Sequence, residues 1–165
     1  MINMPPLVAD IADGKVTWKR LEGLDHETLG YFLLCHLIIE HYIDEYLKAS
    51  HPEFDWDAAR NSFAQKMALM GNFKVSDKYD CIAAIKHLNT LRNKLSHDID
   101  FKIQPKELHP LLDYLERACD GKTIAPSDPR GIMELFTMMV CAMFAGCITS
   151  HAQATKLTRK PSAKK

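Results

Sequence analysis

At 165 residues the chain is long enough for one domain with a buried core, and its 47% apolar and 25% charged residues are ordinary globular composition. The 21 acids and 21 bases balance, but five of the bases (Lys156, Arg159, Lys160, Lys164 and Lys165) lie in the last ten residues. The remainder carries 16 bases against 21 acids, which argues against a broad nucleic-acid-binding face and leaves room only for a local basic site.

The five cysteines (Cys35, Cys81, Cys119, Cys141 and Cys147) show no C-x-x-C or C-x-x-H spacing. They are expected to be reduced core thiols of a cytoplasmic protein, with no disulfide frame, metal site or cofactor. The opening "MINMPPLVADIADG" lacks a basic stretch followed by an apolar one, so no secretory signal is expected.

Residues 1–24 are expected to form an arm, in which "KVTWKRL" alternates weakly enough for a short extended piece. No other stretch alternates as a strand would. Asp25 then caps a helix running to about Ser50, with Glu27 in its first turn and Leu29, Phe32, Leu33, Leu37, Ile43 and Leu47 on its apolar face. "HPEFDWD" breaks it, and "DAARNSFAQKMALM" is expected to be a second helix that Gly71 caps. Ser76 or Asp77 opens a third helix, "KYDCIAAIKHLNTLRNKLSH", with Ile82, Ile85, Leu88, Leu91 and Leu95 in line. Pro105 suits the first turn of a fourth, "KELHPLLDYLERAC", although Pro110 restricts its first half. A turn-rich loop leads to a last helix over 130–154, and residues 155–165 are expected to be a disordered basic tail that could add salt-sensitive RNA affinity. The pattern predicts an all-α antiparallel bundle of about five helices spanning residues 25–154.

The last helix is uncharged for 16 residues, "LFTMMVCAMFAGCITS", short of the roughly 20 residues of a membrane span. It is expected to pack in the core or against a second subunit rather than in a membrane. Its methionines and small residues suit either place.

Two polar sets do not fit a plain bundle. His36 and Glu40 stack one turn apart on an apolar helix face. Either that stripe reaches solvent, or Glu40 meets a cation, for which Arg92 is the candidate. The second set ends the third helix: Arg92, Asn93 and His97 in "LRNKLSH". On an ideal helix Arg92 and His97 point about 140° apart, and they can converge if the helix ends or loosens near Leu95 and Ser96, an ending that "DID" supplies. Basic groups also favour a last helical turn for electrostatic reasons alone. His87 either lines the same region or faces water.

"LRNKLSH" resembles the arginine-polar-x-x-x-histidine motif of the HEPN superfamily, small all-α nucleotide-binding domains that carry it at the end of a central helix. The stretches "LLCHLIIEHYIDEYL", "SFAQKMALMGNF" and "IAAIKHLNTLRNKLSHD" also resemble the mannitol operon repressor group of the same fold, over roughly residues 25–120. The resemblance implies a dimeric, metal-independent endoribonuclease, of the kind that serves as a toxin with an antitoxin partner or in an antiviral system. Arg92 would then bind the scissile phosphate, His97 act as general acid or base, and Asn93 position one of these groups, with Glu40 and His36 in support. Lys86, Lys94 and Lys102 would give a local RNA-binding patch, opposed by Asp98 and Asp100. Ile99 stands where related toxins carry a modifiable tyrosine, which puts regulation at that position in doubt. The alternatives are a non-catalytic regulator or partner-binding module like the mannitol repressor group, in which Arg92, Glu40 and His97 form a structural network, and a plain bundle with an accidental motif.

Overall fold

The computed structural model describes residues 8–18, 25–73, 75–98, 101–122 and 126–158. It is mostly helical, with one hairpin, β1 (Val8–Ala12) and β2 (Lys15–Trp18), and six α-helices among the described residues. These are α1 (His26–Ser50), α2 (Trp56–Ala59), α3 (Phe63–Leu69), α4 (Ile82–His97), α5 (His109–Ala118) and α6 (Pro129–Thr158).

The hairpin goes beyond the single extended piece expected for this region. Asp13 and Gly14 both have positive φ (52° and 72°), the mirror-image turn that favours Asp-Gly between antiparallel strands. The register pairs Ala12 with Lys15 and Ile11 with Val16, with an irregularity between Val8 and Asp10. Val8 is buried, whereas Trp18, Ile11 and Val16 face solvent.

Helix α1 starts where the sequence predicts. The Asp25 carboxylate accepts from the Thr28 N–H at 2.9 Å, a bond that holds its pKa below the usual carboxylate value. Its core face is Phe32, Cys35, His36, Ile39, Ile43 and Leu47. Leu37, expected on that face, is 60% exposed, and Ile39 is fully buried instead.

The single helix expected over 57–70 is two. Arg60 turns into the left-handed region (φ 44°) and ends α2. Ser62 then opens α3 with a capping box, its N–H donating to Gln65 Oε1 at 2.8 Å and its Oγ accepting from the Gln65 N–H at 3.4 Å. Gly71 lies in a 3-10 turn, Met70–Asn72, rather than in a left-handed cap. Helix α4 begins at Ile82, later than expected, because Asp77–Tyr79 form their own 3-10 turn and Asp80 Oδ1 accepts from the Ile82 N–H. Pro110 is tolerated because residues 105–108 are a separate 3-10 turn and the proline stands in the first turn of α5.

Helices α1 and α6 pack along each other and run in the same direction: Arg130 pairs with Glu27 at one end and His151 meets Ser50 at the other. Helix α4 runs antiparallel to α1, since His36 meets Asn89 while the charge of Lys102 reaches Asp25. The core between them holds Phe32, Ile39, Leu88, Leu91, Phe136 and Phe144, all at or near zero exposure. All five cysteines are free, and burial pushes the Cys81 thiol up to about 12. By length and composition, Pro129–Ala154 is apolar enough to cross a membrane (mean hydropathy 1.9), while 39% of that window is buried within the fold. Helix α6 also continues to Thr158, into the segment expected as tail. Residues 159–165 lie outside the described residues, as do Ile99 and Asp100.

Candidate functional site

Arg92, Asn93 and His97 are all exposed on the last two turns of α4. The Arg92 guanidinium donates to Asn93 Oδ1 at 3.1 Å, and no carboxylate among the described residues pairs with it. The helix does not loosen. Ser96 Oγ donates back to the Arg92 carbonyl at 2.9 Å, and the Asp98 N–H closes a regular bond to the Lys94 carbonyl at 2.9 Å. The backbone at Arg92 and His97 therefore stays in regular helix, where positions five apart point about 140° from each other. The helix ends at His97 with Asp98 as its C-cap, as the "DID" stretch predicts, and backbone pairing is maintained through the last turn.

The helix sorts these groups onto two stripes. Asn89, Arg92 and Ser96 recur at three- and four-residue steps on the side toward α1. Lys86, Thr90, Asn93 and His97 form a second, fully exposed stripe with the same spacing. Asn93 thus joins the two, touching Arg92 while sitting one turn before His97. Lys94 stands beside the second stripe, 4.0 Å from Glu107 and with its ammonium 5.5 Å from the Phe101 ring. Lys102 is exposed. His87 points neither into this region nor simply to water: its Nε2 lies 2.6 Å from the Glu107 carbonyl and ties α4 to the turn before α5.

Glu40 does meet a cation, but the cation is not Arg92. Lys66 of α3 donates to Glu40 Oε1 and Asp44 Oδ2, each at 2.8 Å. The restart of α3 at Ser62 brings Lys66 onto this face of α1. Burial alone would lower the Lys66 pKa, but its bonds to Asp44 and Glu40 outweigh burial and raise it.

His36 is buried (4% exposed) between α1 and α4, with Nε2 3.2 Å from Asn89 Oδ1, Nδ1 3.9 Å from Glu40 Oε2 and its ring 4.7 Å from that of Phe63. Burial pushes its pKa below the usual imidazole value. Glu40 and Asn89 resist this, while the charges of Arg92 and Lys66 add to it. The Nε2–Asn89 contact is the one within hydrogen-bond distance, and which ring nitrogen carries the proton follows from the tautomer. His36 and Glu40 therefore brace α1 against α4 and α3.

Sequence reasoning missed Asn89 and Lys66. Asn89 lies three residues before Arg92, so its place on the same stripe was available from spacing. Lys66 had no such signal, because only the packing of α3 on α1 selects it. Among the described residues, no group of three or more His, Cys, Asp or Glu is placed to hold a metal ion. No protein-family model, curated protein or solved structure matches the chain.

Proposed function

We propose that the chain is a metal-independent endoribonuclease of the HEPN type that acts as a homodimer. The observation that carries this reading is the exposure of Arg92, Asn93 and His97 together, with the Arg92 fork held by a neutral amide and not by a carboxylate. A regulator whose motif served only as a structural network would tie Arg92 to Glu40, and Glu40 is taken by Lys66.

In this reading Arg92 receives the scissile phosphate in a bidentate contact and Asn93 holds the guanidinium plane. His97 takes the proton of a ribose 2′-hydroxyl as its oxygen attacks phosphorus, or returns a proton to the departing 5′-oxygen. The P–O5′ bond breaks, leaving a 2′,3′-cyclic phosphate and a 5′-hydroxyl. Lys86, on the His97 stripe, and Lys94 beside it meet neighbouring phosphates. Since Arg92 and His97 diverge in one chain, the working pair is formed between copies, Arg92 and Asn93 of one with His97 of the other.

The test is cleavage of a mixed RNA pool in EDTA. His97→Ala is expected to lose about a hundredfold or more, and Arg92→Ala a similar factor. Neither changes the exposed stripe's fold. Mixing the two inactive variants is expected to restore about a quarter of wild-type activity, because half the dimers are mixed and each carries one intact site. Cleavage by neither wild type nor mixture rejects the nuclease, while active wild type with an inactive mixture rejects the shared site.

A further inference from the structure

A cavity of about 700 Å³ opens between Tyr46 of α1, the stretch of α6 from Met139 to His151, and Phe73, Val75 and Tyr79. It lies within the range of about 300–1,000 Å³ typical of small-molecule sites. We propose that it is a binding site for an uncharged aromatic small molecule carrying one N–H or O–H donor. The inference is independent of the nuclease reading.

The wall is aromatic and already in place. Tyr46 meets Phe73 edge-on at 4.9 Å, Phe73 stacks on the buried Phe144 at 5.1 Å, and Tyr79 completes the rim. Such a cluster offers ring faces and edges to a planar guest without rearrangement. Met139 and Met143 also line it, with flexible thioether chains that adapt to a guest's outline. Among the described residues the lining contains no Asp, Glu, Lys or Arg, and its imidazole, His151, already meets Ser50 Oγ at 3.4 Å and the Tyr46 ring, a lining that favours an uncharged guest.

Helix α6 is shaped for this space. Gly146 lies in its interior and lines the cavity, and a Cβ added there would meet nothing within 4 Å. Glycine is a poor helix former, and neither positive φ nor a close neighbour requires it at this position. What its missing side chain leaves is room. The polar end of the cavity also has a defined sense. Ser150 Oγ donates its proton to the Gly146 carbonyl at 2.9 Å, so the oxygen presents lone pairs to a guest. A donor on the ligand matches it.

The probe is N-phenyl-1-naphthylamine, a neutral aromatic amine whose fluorescence rises in apolar surroundings, titrated into the full chain. The expected result is one saturable site per chain. Gly146→Leu and Ala142→Phe, which fill the cavity from α6, are expected to weaken binding at least about tenfold with no drop in Tm, as shape exclusion from a preformed pocket demands. Ser150→Ala is expected to weaken it about threefold to tenfold through loss of the acceptor. Leu37→Lys, on the exposed face of α1, is expected to leave binding unchanged. Absence of saturable binding, full binding by both filled variants, or loss in Leu37→Lys instead would overturn the proposal. Unchanged binding by Ser150→Ala would overturn the donor requirement.

Discussion

At the scale of single residues, the informative group is the buried one. Lys66 is 13% exposed, and the carboxylates it holds, Glu40 and Asp44, are 24% and 35% exposed. Removing the ammonium leaves two half-buried carboxylates near each other without a donor. Lys66→Met is therefore expected to cost about 1–3 kcal/mol, read as a lower urea midpoint near neutral pH. His36 adds a pH dependence of definite sign. Its folded pKa lies below the ordinary imidazole value of about 6.5, so the unfolded chain binds the proton more readily. The stability it contributes is present above about pH 6.5 and falls as pH drops from there toward the folded value. Urea midpoints between about pH 7.5 and 5.5 are expected to decline more steeply for the wild type than for His36→Gln, a window largely above the carboxylate titrations. Equal slopes would remove His36 from the account.

At the scale of elements, α6 carries two glycines with opposite roles. A Cβ on Gly131 would stand 2.6 Å from Pro126 Cβ and 2.8 Å from Asp128 Oδ2, while the Gly131 N–H donates to Asp128 Oδ1 at 2.8 Å. Gly131→Ala is expected to push the loop off the helix start and lower stability by about 1–3 kcal/mol despite better helix propensity. Gly146→Ala meets empty space and is expected to raise stability by about 0.5–1 kcal/mol. Thermal unfolding of the two variants, side by side, checks the contrast. The same elements explain what the sequence disclosed. The apolar period revealed α1, α4 and α6 because their burial follows one face over many turns. Boundaries failed where local turn chemistry competes with that period. Asp13-Gly14 and the Ser62/Gln65 box are local turn and cap signals that an apolar period does not register. The left-handed Arg60 was not legible, since nothing in an arginine announces positive φ. The site divides the same way. The 140° divergence of Arg92 and His97 follows from spacing alone. The partner of Glu40 depends on how α3 lies across α1, which no local pattern records.

At the scale of the whole molecule, the parallel pair α1 and α6 leaves an apolar outer side. Leu34, Leu37 and Ile38 are 53%, 60% and 37% exposed, and Met138 on α6 is 61% exposed. Large apolar side chains exposed on two neighbouring helices mark an interaction surface where they form one patch. Because α4 runs antiparallel to α1, Arg92 lies toward the N-terminal half of α1, where Leu34 and Leu37 are exposed. A second copy seated on this side would cover the leucines and bring its own α4 toward Arg92, the arrangement that a shared Arg92–His97 pair requires. Self-association and cleavage should then fail together. Leu37→Lys with Met138→Lys is expected to convert a dimer to a monomer in sedimentation equilibrium, because two buried ammonium groups on each side have no counter-charge to meet. The same double variant is expected to lose RNA cleavage while keeping its helical content, although Arg92, Asn93 and His97 are untouched. A monomeric variant that still cleaves would place the whole pair within one chain and remove the need for a partner. A variant that stays dimeric would move the interface to another face and leave the shared site to be tested there.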